Sequence, residues 1–310
     1  MTVVVSFFAA VLGSLHTVLL VDNGSRRPAS TLALRKTAAA LSDRLSGREV
    51  RPASLAFSDA VPATMLNGMP ASTLQAELAA LLADGATGAI IAPLFLGPSD
   101  GLRRGIDEAR TALSTPSFDL RAGTCLVDEL DPTDKRIARA LAAQVLRIAR
   151  QERLATPLKV LVIDHGTPSA RVNAVRERLA REVRGLLGHR ASDVAGASME
   201  RRDGAAYDFN EPLLERALSE PPFDRGDVIL AMAFVLPGRH AGEGGDVAQI
   251  AQRAMDEAAA RPAPDCERVS PPLRVHTTPL LAAQPLVLDV LAERVWCADQ
   301  FQEDGEGGGP

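Results

Sequence analysis

A short pattern, a run of strand-type apolar residues that ends in a polar or glycine-containing turn, occurs twice along this chain in the same order. No other feature constrains the fold as strongly. LLVDNGSRRPAS (residues 19–30) overlays LVIDHGTPSARV (161–172), ASLAFSDA (53–60) overlays ASMERRDG (197–204), and GAIIAPLFLGPSDG (88–101) overlays DVILAMAFVLPGRH (227–240). Three anchors in one order signal an internal duplication. Between them, apolar strand-like runs alternate with longer segments of helical period, the pattern of a parallel sheet covered by helices.

The first half is expected to form strands at 17–22, 50–57, 88–96 and 118–127, with helices at 30–45, 71–83, 102–113 and 133–152. The second repeats the order, with strands at 159–164, 192–199, 227–236 and 273–278 and helices at 170–187, 211–218, 244–260 and 282–296. The expected fold class is α/β: two tandem flavodoxin-like, doubly wound units, each with a roughly four-stranded parallel sheet. A chain of 310 residues holds two units of roughly 150, each with its own core. The boundaries are drawn as an apolar extension at 1–16, units at 17–154 and 155–298, and a disordered acidic, glycine-rich tail at 299–310.

Residues 3–21 are nearly all apolar and lack a basic leader, so their length leaves export or anchoring open. Because Thr17–Val21 reads as a buried first strand, a cytoplasmic protein is expected. A net charge of -5 and an aromatic share of 4% argue against a nucleic-acid partner, so an anionic ligand would need a local arginine cluster. Cys125, Cys266 and Cys297 lie far apart with no CxxC pair and are expected to be buried small hydrophobes. Neither GxGxxG nor GxxxxGK[ST] occurs, which leaves nucleotide binding without support.

In an open parallel sheet, ligands bind beyond the carboxyl ends of the strands, where the loops converge. In the second half those ends deliver Asp164, His165 and Gly166, then Glu200, Arg201 and Arg202, then Arg239 and His240. Two imidazoles and a carboxylate from neighbouring strand ends suit one borderline divalent ion. A lone strand-end histidine is ordinarily a hydrogen-bonded loop residue; two in one unit shift the balance toward ligation. Gly242, Gly244 and Gly245 permit close backbone approach after His240, and the helix they precede is expected to offer free N–H groups to a carboxylate. His16, His189 and His276 are read as structural.

FVLPGRHAGEGGD (234–246), IDHGTP (163–168) and NGSRRP (23–28) together resemble the motifs of the class II tetrapyrrole chelatases of the CbiX/SirB type, over about residues 17–296. Members of that family insert cobalt, iron or nickel into sirohydrochlorin on the cobalamin, siroheme and related pathways. The resemblance implies two chelatase-like units in the long two-domain form, with His165 and His240 as metal ligands and acceptors of pyrrole protons. By analogy with related chelatases, Glu200 is a third ligand or proton acceptor, although a surface pairing with Arg201 or Arg202 fits it as well. The eight carboxylates of sirohydrochlorin call for guanidinium and backbone N–H donors. Arg239, Arg201, Arg202 and Arg171 are the candidates, together with the backbone of Gly242, Gly244 and Gly245.

At the positions of His165, Glu200 and His240 the first copy has Asn23, Ala56 and Gly101. It is therefore expected to be a degenerate partner that walls the cleft, leaving one metal site in a monomeric internal pseudo-dimer. The expected reaction is a lyase-type metal insertion with a small-molecule tetrapyrrole and a divalent metal as partners, and with no cofactor besides that metal. A non-catalytic tetrapyrrole- or metal-binding protein of the same fold is the alternative.

Overall fold

The computed structural model describes residues 16–113, 117–242, 244–260 and 271–300. The first half contains β1 (Thr17–Asp22), α1 (Pro28–Arg44), β2 (Val50–Ser54), α2 (Leu74–Ala83), β3 (Gly88–Pro93), α3 (Asp100–Ala112), β4 (Asp119–Ala122) and α4 (Arg136–Gln151). The second contains β5 (Leu158–Asp164), α5 (Ala170–Leu187), β6 (Ala191–Ser198), α6 (Leu214–Ser219), β7 (Asp227–Met232), α7 (Asp246–Ala260), β8 (Arg274–Thr277) and α8 (Pro285–Gln300). Each half builds a four-stranded, all-parallel sheet, in the orders β2-β1-β3-β4 and β6-β5-β7-β8. The duplication extends to single bonds: Leu94 N donates to Val21 O as Ala233 N does to Ile163 O, and Leu126 N to Phe95 O as Leu281 N does to Phe234 O.

Strand periodicity decides the layering, because successive side chains point to opposite faces. Val18 and Leu20 join Val160 and Val162 in one core that runs between the halves through α1, α4, α5 and α8. Leu19 and Val21 pack on the opposite face of the first sheet, and Leu161 and Ile163 on that of the second. Local chemistry starts the helices: Pro28 opens α1, while the hydroxyls of Thr73 and Ser99 accept from the Ala76 and Leu102 backbone N–H groups to cap α2 and α3.

The last helix of each half crosses to the other. α4 packs on β7 and α5 of the second half, whereas α8 packs on β3, β4 and α1 of the first. Ion pairs join the exchanged pieces: Arg136 binds Glu293 at 2.7 Å, Arg294 binds Asp134 at 3.0 Å, and Arg44 contacts Asp289. Residues 136–151, counted with the first unit from their place in the chain, thus cover the second unit's sheet, and 285–298 cover the first.

Other boundaries also move. The third strands end at Pro93 and Met232 and not at 96 and 236, and the fourth at Ala122 and not at 127, because the apolar run continues into loops that are themselves buried, among them Leu94, Leu126 and Phe234. Asp299, placed in the tail, belongs to α8, where its carboxylate takes Arg48 at 3.0 Å and its carbonyl accepts from Arg121 at 2.6 Å. His16, placed in the extension, sits against the first sheet, its carbonyl accepting from Arg48 Nε at 2.7 Å. Cys125 is buried, and burial pushes its thiol up to about 12, while Cys297 is only half-buried. His276 pairs with Asp227 at 3.0 Å, in keeping with a structural role, and His189 lies in a short turn after α5. The apolar run before His16, Cys266 and residues 301–310 lie outside the described residues. Among the described residues no helix is long and apolar enough to cross a membrane.

Candidate metal centre

His165 leaves the carboxyl end of β5 on a turn that only glycine tolerates at the next position. Gly166 has φ +88°, and a β-carbon there would stand 1.9 Å from the Glu200 carbonyl oxygen. The backbones are tied together as well, with Glu200 N donating to His165 O at 3.2 Å and Met199 N to Asp164 O at 3.0 Å. Asp164 fastens the turn from inside: its Oδ1 accepts from Ser198 Oγ at 2.6 Å and from Gly166 N at 3.1 Å. Burial raises the Asp164 carboxyl, opposed by the Ser198 bond and by the guanidinium of Arg176, 4.0 Å away. On the loop's far side, Asn210 Oδ1 accepts from Thr167 N at 3.0 Å and its amide donates to Thr167 O at 2.9 Å.

His240 comes from the long loop after β7. Gly238 N donates to Ala241 O at 2.7 Å and Val247 N to His240 O at 3.1 Å, which folds the loop onto the start of α7. Its side chain is 6% exposed, against 59% for His165 and 50% for Glu200. The candidate cluster therefore has one buried anchor and two accessible arms. The two imidazoles meet edge to face, ring centroids 4.3 Å apart. Glu200 bridges them, one oxygen 3.6 Å from His165 Nδ1 and the other 3.6 Å from His240 Nε2. Ligand atoms of the three residues lie within 4.8 Å of one another, a spacing that one ion can draw together. Desolvation, and secondarily the neighbouring His165, lower the His240 pKa and favour the neutral imidazole that binds metal.

Asp246, the first residue of α7, completes the arrangement. Its Oδ2 lies 2.9 Å from His240 Nδ1 but off the N–H direction, so the contact is electrostatic and not a directed hydrogen bond. The sequence pattern missed Asp246 as a partner of His240, along with Asn210 and Arg176 behind the first turn. The acidic continuation of the glycine-rich segment was the available signal for Asp246.

The guanidinium candidates are mostly committed elsewhere. Arg201 contacts Asp208 and lies 3.3 Å from Glu211, Arg202 sits 5.8 Å from the Tyr207 ring centroid, and Arg171 pairs with Glu129. Arg239 is well exposed but lies 3.3 Å from Asp246. The free N–H groups expected after Gly242 are also largely used: Gly245 N bonds Gly242 O, Asp246 N bonds Arg239 O, and Val247 N bonds His240 O. Gly242 and Gly244 take φ of +118° and +67°, and a β-carbon on Gly245 would press to 2.7 Å from His240 O. These glycines shape the loop, and the Gly245 N–H is turned inward.

Both histidines of the cluster line a cleft of about 270 Å³ between the halves, whereas Glu200 lines an adjoining pocket with His240 and Asp246. The second half contributes His165 and the 234–241 loop, and the first contributes the 22–25 turn, Ser30, Leu94 and Phe95. Asn23 occupies the place of His165, and Ala56 and Gly101 those of Glu200 and His240, so the first half walls the cleft but offers no counterpart of the cluster.

Fold and cluster together define a class: a duplicated, doubly wound α/β protein with a histidine–carboxylate group at the sheet edge of its second half, across a cleft from the first. No family model and no curated protein matches the chain. Among solved structures it is similar to SirB from Bacillus subtilis with Fe3+, with a TM-score of 0.63 at 13% identity over 92% of this chain and 96% of that one. It is equally similar to the sirohydrochlorin chelatase SirB from Bacillus subtilis subspecies spizizenii in complex with cobalt, with a TM-score of 0.62 at 15% identity over 92% and 95% of the two chains. The chain has the two-unit fold of the SirB chelatases along its length.

Proposed function

We propose that this protein is a metal chelatase that inserts a divalent ion, cobalt, iron or nickel, into sirohydrochlorin or a closely related tetrapyrrole. The observation that carries the reading is the convergence of His165, Glu200 and His240, with both histidines lining the inter-half cleft. The fold shared with SirB supports it. In this reading the metal is a substrate and no further cofactor takes part, and a single chain suffices because its first half takes the place of a second subunit.

Insertion makes two demands. The ion must shed water while staying held, and two pyrrole N–H protons must leave as the ring nitrogens bind. Neutral His240, buried beside Asp246, provides a fixed donor, while the exposed His165 and Glu200 can hold the ion toward the cleft and then release it. As the ion passes to the macrocycle these same groups become free bases within reach of the departing protons. Asn23 and Ala56 on the other side cannot take either role, so the chemistry is one-sided.

An anaerobic assay with purified protein, sirohydrochlorin and each of the three ions tests the reading. Spectral conversion faster than the uncatalysed blank is expected. Tight binding without acceleration would favour a non-catalytic tetrapyrrole- or metal-binding protein.

A further inference from the structure

The turns that follow β1 and β5 can be compared residue by residue. Gly24 and Gly166 have φ of +83° and +88°, and a β-carbon on either would meet the carbonyl oxygen of Ala56 or Glu200 at 1.8 and 1.9 Å. From this fixed point Asn23 matches His165, Arg26 matches Pro168 and Arg27 matches Ser169. The half that kept the histidine has no cation in its turn, and the half that lost it has two.

Arg26 and Arg27 are exposed, and neither guanidinium has an acidic or hydrogen-bonding partner among the described residues. Their backbone is held in place, because Arg27 N donates to Ser25 Oγ at 3.1 Å and Arg27 O accepts from Ser30 N at 3.0 Å. Ser25 and Ser30, on either side of the pair, both line the cleft that His165 and His240 line from across. The arginines of the second half near the cluster are held by Asp208, Asp246 or the Tyr207 ring. The metal-binding side of the cleft thus has cations that are occupied, while two free cations lie on the opposite side, between the lining residues Ser25 and Ser30 and just outside the lining itself.

We infer that Arg26 and Arg27 are the carboxylate-recognising residues of the site: they bind peripheral carboxylates of the macrocycle and hold its ring nitrogens toward the metal cluster. This rests on the tetrapyrrole reading above. Arginine stays charged throughout and pairs with carboxylates two bonds at a time, which suits a ligand with acid groups around its edge. A protein with net charge -5 has no general field to attract such an anion, so local unpaired guanidinium groups matter more.

Fluorescence titration of the full chain with two metal-free porphyrins tests the inference: uroporphyrin, with eight carboxylates, and deuteroporphyrin, with two. Arg26→Ala and Arg27→Ala should each weaken uroporphyrin binding by about threefold to tenfold, the lower end reflecting solvent screening. The double variant should lose more, with a shallower salt dependence and a smaller loss for deuteroporphyrin. Cobalt affinity without porphyrin, read from visible absorption, should not change, which also reports an intact fold. Uroporphyrin affinities within twofold of the unsubstituted protein, or equal losses for both porphyrins, overturn the inference and leave the chelatase reading standing. If the unsubstituted protein binds neither porphyrin, the tetrapyrrole reading itself fails and the inference falls with it.

Discussion

Asp246 and His240 form a carboxylate–imidazole pair, Oδ2 2.9 Å from Nδ1, which leaves the ring's other nitrogen facing Glu200. A carboxylate behind a ligating histidine orients the ring and raises its basicity. Asp246→Asn keeps the size and removes the charge, so cobalt affinity should fall by about tenfold, the low end for such partners because the contact is not a directed hydrogen bond. Equilibrium titration against a competing chelator measures this.

His165→Ala and His240→Ala should each abolish insertion. They should differ in stability, because His165 is largely exposed while His240 is 6% exposed. Thermal melts should match the unsubstituted protein for the first and fall slightly for the second. Retained activity in either variant removes that residue from the mechanism.

Gly24→Ala and Gly166→Ala form a matched pair. Both glycines have left-handed backbone with a carbonyl where the β-carbon would go, so each substitution should destabilise the fold by about 1–3 kcal/mol or more. Only Gly166→Ala should also weaken cobalt binding, because the carbonyl it displaces belongs to Glu200. Denaturant melts and metal titrations of the two proteins side by side separate the shared effect from the specific one.

Asp22 gives a pH signature. It accepts from Ser54 Oγ at 2.6 Å as Asp164 does from Ser198, but Leu34 stands where the second half has Arg176, and burial pushes its carboxyl up to about 6. The folded state therefore holds this proton more tightly than the unfolded chain. The stability it contributes is complete below the ordinary carboxylate value and is lost as pH rises through about 6. Asp22→Asn should stabilise the protein at pH 8, by an amount on the order of 3 kcal/mol, and by less at pH 5. Denaturant unfolding at the two values checks the sign.

Much of this was legible in the sequence because the anchors combine two signals, an apolar run and the polar residues that end it. His165, Glu200 and His240 were read as strand ends, and in a parallel sheet all such ends lie along one edge, so topology brought the first two together, while His240 reaches them on the loop that follows β7. What stayed hidden depends on pairing between distant segments. Nothing in the helical period of residues 136–151 says which sheet their apolar side will cover. Arg201 looked available beside Glu200, yet Asp208 and Glu211 fold back to hold it. The glycines after His240 suggested open N–H groups, but the loop turns its own carbonyls of Arg239 and His240 onto them.

The exchange of α4 and α8 governs how the chain can be made. During synthesis the first sheet leaves the ribosome with the face beneath α8 bare, and it stays so until residues 285–300 have emerged. A nascent chain halted near residue 155 holds a helix with no sheet and a sheet with one face only partly covered, so it has no finished first unit to release. Neither wall of the cleft can be completed before the other.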